Sequence, residues 1–297
     1  MANPLFDGSG VALVTPFRGD DIAEDVLRAL VRFHIGHGTD ALIVCGSTGE
    51  AATMSVEEQR RAVEIAIDEN DGRLPVIVGC GGSSTREVVR LAENAAQAGA
   101  DALLVSGPPY NKPTQKGLML HVRAVLDAAD RPVVLYNVPG RSAVNMLPAT
   151  VAALADDDRV IAIKEASGDL SQVAEVARLT AGRLALYSGN DDQVLPVMSL
   201  GGRGVISVLA NIAPAAVSRM AKAYLDGATA EATQLQLRYL PLIQAIFVES
   251  NPIPVKAAVA MLGFQVGGMR LPLTEATAGT RERLAAAMRD VGIRVQS

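Results

Sequence analysis

Eight short apolar runs, rich in β-branched residues and each followed by a stretch at helical spacing, constrain this chain more than any other feature of its sequence. The runs are Val11–Phe17, Ala41–Cys45, Pro75–Cys80, Ala102–Ser106, Pro132–Val138, Val160–Ala166, Leu184–Gly189 and Gly204–Leu209. Between them, stretches such as Val56–Asn70, Thr85–Ala98 and Ser171–Thr180 carry amphipathic patterns, several with a polar residue at the N-cap and a glycine near the C-terminal end. Strict alternation with apolar strands implies a parallel sheet covered by helices. Eight repeats predict a closed (β/α)8 TIM barrel, whose usual length of about 250 residues is close to that of residues 1–226. A doubly wound open sheet is the competing arrangement.

From Asp226 onward the pattern is helical only: Ala228–Val248, Ile253–Leu262 and Ala276–Val291, with a proline-bearing connection at Arg270–Leu273. The expected organisation is therefore a barrel over residues 1–226 and an appended helical segment over 227–297, packed on the barrel or on a partner subunit. With 49% hydrophobic and 20% charged residues, disorder is expected only at the first few residues and the C-terminal tip. The net charge of −5, the scattered Lys and Arg and the 3% aromatic content argue against a nucleic-acid surface. No apolar run reaches the roughly 18 residues of a membrane span, and Met1–Gly10 lacks a signal-peptide pattern, so a cytoplasmic protein is expected. Cys45 and Cys80 stand far apart without a CxxC pair and read as two buried free thiols, while His34, His37 and His121 lack the carboxylate pattern of a metal site.

In a barrel of this kind, reactive groups stand at the C-terminal ends of strands. The sixth run there, "RVIAIKEASG", closes an apolar strand with Lys164. A lone strand-end lysine ordinarily snorkels to water or pairs with a carboxylate. Alternation puts Lys164 on the face of Val160 and Ala162 and turns its neighbour Glu165 the other way, removing the nearest partner. Desolvation disfavours the ammonium and makes a neutral amine available to attack a carbonyl. With a 2-oxo acid such a lysine forms an imine, whose electron withdrawal lets the adjacent carbon lose a proton and attack an aldehyde. That chemistry needs neither metal nor bound cofactor.

Tyr136, at the end of the fifth run, lies beside Lys164 if it faces inward; a phenol linked to a hydroxyl such as Ser47 passes protons both ways. The alternative for Tyr136 is a core aromatic with a satisfied hydroxyl. Gly46-Ser47-Thr48-Gly49-Glu50, after the second run, offers amides and hydroxyls for a small carboxylate nest, although an ordinary βα turn has the same composition. It is no phosphate loop, since no Gly-Lys-Ser/Thr follows.

Together with "CGSTGEAATMS", "GPPYNKPTQKGL", "LYNVPGR", "IKEASGD", "YSGNDD", "GVISVLAN" and "NPIPVKAAVAMLG", in order along the chain, these residues resemble the dihydrodipicolinate synthase and N-acetylneuraminate lyase family of pyruvate-dependent class I aldolases. The resemblance implies Lys164 as the Schiff-base lysine and Tyr136 as proton donor and acceptor. It implies Ser47 and Tyr110 as the rest of the relay, Tyr110 reaching in from a neighbouring subunit. Thr48 and Ile206 match positions that contact pyruvate, Thr48 at its carboxylate, and Gly189 is grouped with the substrate-binding positions. Arg141, in "YNVPGRS", matches the arginine with which the synthases hold the carboxylate of L-aspartate 4-semialdehyde, a role suited to a bidentate guanidinium. A homotetramer built as a pair of dimers is implied as well, with pyruvate and the semialdehyde as substrates and no cofactor beyond the covalent imine.

The chain departs from the synthase pattern in places. Ser47 stands where Thr is commoner, and Ser142-Ala143 replaces Thr-Gly. Val56, Gln59, Ser83 and Pro109 occupy positions where lysine-inhibited members carry His, Asn or an extra Tyr, although Glu87 is kept, so the resemblance does not extend to feedback by lysine. The expected activity is condensation of pyruvate with the semialdehyde in lysine and diaminopimelate synthesis. The alternatives are an aldolase or dehydratase for a sugar-derived 2-oxo acid, and a non-catalytic ligand-binding barrel.

Overall fold

Val, Ile and Leu dominate the strand segments because such a strand is buried on both faces, against the barrel interior and against the helices outside. The computed structural model describes residues 4–296, so the expectation of disorder at the extreme ends falls in part on residues 1–3 and 297, outside the described residues. The barrel strands are β1 (Gly8–Ala12), β2 (Ala41–Val44), β3 (Val76–Cys80), β4 (Ala102–Ser106), β5 (Val133–Asn137), β6 (Val160–Glu165), β7 (Ala185–Ser188) and β8 (Gly204–Ser207). All neighbours are parallel and β8 closes on β1, so the barrel is shut and the open sheet is excluded.

The first strand departs from its expected position. It is Gly8–Ala12 rather than Val11–Phe17, and Phe17–Arg18 instead pairs antiparallel with Asp21–Ile22 in a small hairpin. Gly8 and Gly10 stand in the strand because neighbours approach closely there: a Cβ on Gly10 would lie 2.7 Å from Ile43 Cδ1 and 2.9 Å from the Phe6 ring. Gly204, opposite Gly8, has φ +150°, and a Cβ there would overlap the Gly8 carbonyl.

The helices α1 (Glu24–Gly36), α2 (Val56–Asn70), α3 (Thr85–Ala98), α4 (Gln115–Ala128), α5 (Pro148–Leu154), α6 (Leu170–Thr180), α7 (Val194–Ser199) and α8 (Pro214–Leu225) surround the strands. Their starts follow from capping chemistry. Ser55 and Glu58 form a reciprocal capping box on α2, and the Asp169 carboxylate accepts from Ser171 N on α6. Three further helices follow: α9 (Thr229–Ile246), α10 (Ile253–Met261) and α11 (Ala278–Asp290). Tyr239, Leu242, Val255, Val259, Leu284 and Met288 join these helices to the same apolar cluster that fills the layer between strands and barrel helices.

A second, smaller cluster lies inside the barrel. It includes Phe6, Ala162, Tyr187 and Ile206, with Tyr187 stacked on Phe6 at 4.4 Å and its hydroxyl donating to the Phe6 carbonyl at 2.6 Å. This cluster fills the barrel interior and reaches Tyr136 at the C-terminal end of β5. Cys45 and Cys80 are free and buried. His34 is buried on Thr39 Oγ1, with burial lowering its pKa to about 3. Among the described residues no group of three or more His, Cys, Asp or Glu is arranged to hold a metal, and no helix is long and apolar enough to cross a membrane.

The close contact at the β1–β8 seam makes Gly204→Ala destabilising by about 3 kcal/mol, seen as a thermal midpoint lower by roughly 5 °C or more. An unchanged midpoint would mean that the seam opens without cost.

Candidate active site

The β5–β6 register aligns Tyr136 with Lys164, and the β6–β7 register aligns Lys164 with Tyr187. Strand alternation directs Ile163 and Glu165 outward and Ala162 and Lys164 into the barrel, where Lys164 is 5% exposed. Glu165 is occupied elsewhere: its carboxylate accepts from Asn137 Nδ2, Ser167 N and Gln172 Nε2. Among the described residues no carboxylate lies within ion-pair distance of Lys164 Nζ. The nitrogen sits instead over the Tyr136 ring, 4.4 Å from its centroid.

Burial lowers the Lys164 pKa to about 8, opposed by the Asp191 carboxylate and assisted by Arg141. Asp191 is itself buried. It accepts from Ser207 Oγ, from Val208 N at 2.9 Å and from Leu209 N at 3.1 Å, so it is anchored to the end of β8 rather than to the lysine. Burial likewise pushes the Tyr136 phenol up to about 12, with Arg141 opposing, and it remains protonated at neutral pH.

Lys164 opens onto a cavity of about 80 Å³ whose wall includes Ser47, Thr48, Tyr136, Arg141, Gly189 and Asn251. Gly189 makes room for the lysine: a Cβ there would lie 3.1 Å from Lys164 Cε and 2.6 Å from Ala166 Cβ. Thr48 is buried on the tight turn Ser47–Gly49, and its Oγ1 accepts from Asn251 Nδ2 at 2.9 Å. Arg141 lies on the single helical turn Pro139–Ser142 and donates from Nη2 to the Asn251 carbonyl at 2.9 Å. Arg141, Ser47 and Tyr136 also border an adjoining cavity of about 590 Å³ that opens away from the lysine.

Two of the expected residues stand apart. Ile206 is fully buried in the barrel interior and does not line the cavity, which Val208 lines instead. Tyr110 is 88% exposed with φ +70°, and lines neither cavity of its own chain. Ser47 lines the cavity mouth with no hydrogen bond to Tyr136. Asn251 and Asp191 were not singled out from the sequence. Both lie inside the segments "NPIPVK" and "YSGNDD", but an asparagine before proline and an aspartate in a Gly-Asn-Asp-Asp run read as turn formers.

The arrangement offers a nucleophilic amine, a phenol beside it, a hydroxyl in a turn of backbone amides and a guanidinium at the mouth. It suits a carbonyl substrate bearing a carboxylate. Comparison with known proteins agrees with this chemistry. A model of the Dihydrodipicolinate synthetase family matches residues 5–291. The chain is 50% identical to the 4-hydroxy-tetrahydrodipicolinate synthase of Thermoanaerobacter sp. (strain X514), covering 98% of each chain. It is 49% identical to the enzyme of the same name from Caldicellulosiruptor saccharolyticus, covering 99% of each. The crystal structure of the chloride-inhibited dihydrodipicolinate synthase of Acinetobacter baumannii complexed with pyruvate superposes with a TM-score of 0.94 at 40% identity, over 97% of this chain and 99% of that one.

Only the neutral amine attacks a carbonyl, so lowering pH below the Lys164 pKa of about 8 removes the nucleophile. In the free protein, log(kcat/KM) for the carbonyl substrate rises with a slope of about one up to that pH and then levels. A profile flat down to pH near 6 would contradict this (the range is on the order of two units below the inflection).

Proposed function

Because the chain belongs to the dihydrodipicolinate synthetase family, we propose that it condenses pyruvate with L-aspartate 4-semialdehyde to 4-hydroxy-tetrahydrodipicolinate, in lysine and diaminopimelate synthesis. The observation that carries the residue assignment is Lys164, an amine buried in the barrel without a carboxylate partner and held over Tyr136.

Lys164 Nζ adds to C2 of pyruvate, and the resulting carbinolamine loses water to give a protonated imine. The pyruvate carboxylate rests on the Thr48 hydroxyl and the amides of its turn. Tyr136, whose phenol is protonated at neutral pH, donates to the departing hydroxyl, and the phenolate so formed accepts a proton from the methyl carbon, leaving the enamine. The enamine carbon attacks the aldehyde carbon of the semialdehyde, whose carboxylate pairs with Arg141, and the new alkoxide takes a proton from the relay. The amino group of the second substrate then adds to the imine carbon. Breaking the bond to Nζ returns Lys164 as an amine. The imine is the electron sink throughout.

Ser47 links Tyr136 to Tyr110 of a neighbouring copy in this scheme. A bulky aromatic at positive φ and almost wholly exposed is costly for an isolated chain, which supports its insertion into a second subunit. Assembly as a homotetramer and a cytoplasmic location belong to the same proposal. The sugar-acid alternative is not favoured, since Arg141 stands at the cavity where a second carboxylate would arrive.

Pyruvate consumption measured with L-aspartate 4-semialdehyde, N-acetylmannosamine and simple sugar aldehydes tests the assignment. The semialdehyde is expected to be strongly preferred. Arg141→Ala raises its KM by about tenfold to a hundredfold, the worth of a charge-assisted pair, while pyruvate still binds. Preference for a sugar aldehyde, or indifference to Arg141→Ala, would refute the substrate assignment.

A further inference from the structure

The turn that carries Thr48 is not held by the barrel alone. Glu50, two residues further on, has a left-handed backbone, φ 56°, and a side chain without solvent exposure. Its Oε1 accepts from Lys256 Nζ at 2.6 Å and its Oε2 from Arg270 N at 3.1 Å. Lys256 is 2% exposed, donates a second bond to the Gly268 carbonyl at 2.8 Å and lies over the Phe17 ring, 4.4 Å from its centroid. Both partners of Glu50 come from the helical segment after the barrel. A buried ion pair contributes little net stability relative to well-packed neutral groups, so its presence calls for another account.

Lys256 sits in α10, and Asn251 immediately precedes that helix. Asn251 is 7% exposed and touches both ends of the candidate site: its Nδ2 donates to Thr48 Oγ1, and its carbonyl accepts from Arg141. A hydroxyl has one proton and two lone pairs. With the Asn251 amide donating to Thr48, the Thr48 proton remains free to be given to a bound carboxylate. Loss of that amide would let the hydroxyl turn away, and a displaced α10 would move Thr48 and Arg141 together.

We propose that Asn251, Glu50 and Lys256 are positioning residues: the buried Glu50–Lys256 pair locks α10 onto the Thr48 turn, and Asn251 aims the Thr48 hydroxyl at the substrate carboxylate while seating Arg141. The inference rests on the role given above to Thr48 and Lys164. It assigns the helical segment a share in substrate recognition.

The test is the pyruvate concentration that half-saturates borohydride-trapped adduct, measured alongside thermal midpoints. Glu50→Gln combined with Lys256→Met removes both charges while roughly keeping volume. Expected is full trapping at saturating pyruvate, a half-saturating concentration raised about tenfold, and little change in kcat. Asn251→Ala, which touches no charge, is expected to give a similar rise and to carry the test alone should the double variant not fold. Combining all three substitutions should add little further, because they act through one hydroxyl. Unchanged half-saturation in folded variants, or rises that multiply as if independent, would overturn the proposal. Wild-type protein that traps no pyruvate would instead overturn the underlying reading of Lys164.

Discussion

An amine carried into a barrel without a countercharge is the constraint on which the rest of this site depends. Among the described residues two lysines are buried, and their surroundings differ in kind. Lys256 is met by the Glu50 carboxylate at 2.6 Å and by a carbonyl, which favour its ammonium against the burial that lowers its pKa. Lys164 is met by an aromatic face, while the Asp191 carboxylate that acts on it electrostatically is committed to Ser207 and to two backbone amides. These surroundings are the reason we propose Lys256 as a fastener and Lys164 as the nucleophile.

Everything near Lys164 serves to keep it unpaired and reachable. Strand alternation diverts Glu165 into a network with Asn137 and Gln172 on the outer face. Gly189 leaves space for the methylene chain. The helices after the barrel supply Asn251, which bridges the turn after β2 to the turn after β5, two elements far apart in the chain. Thr48 and Arg141, the proposed recognition groups, thus share a single support.

The barrel was legible because its signal is redundant: eight apolar runs at regular spacing outweigh an error in any one. The error in β1 arose where glycine is demanded by the packed side chains of Asp40, Ile43 and Phe6, neighbours that only the folded chain brings together. Helix starts at Ser55 and Asp169 were legible because capping is local. Lys164 and Tyr136 stood out because charge and phenol at apolar strand ends are unusual there. Asn251 and Lys256 did not, because their meaning comes from contacts with Thr48 and Glu50, about two hundred residues away in sequence. Tyr110 is exposed and lines neither cavity of its own chain.

Burial without a carboxylate partner, as at Lys164, should make a lysine reactive where burial with one, as at Lys256, does not, and mapping the adduct tests this. The intact protein is treated with pyruvate and borohydride, digested, and its peptides analysed by mass spectrometry. Reductive labelling is expected on the peptide containing Lys164 and none on the peptide containing Lys256. Labelling of Lys256, or of neither lysine in folded protein, would contradict it.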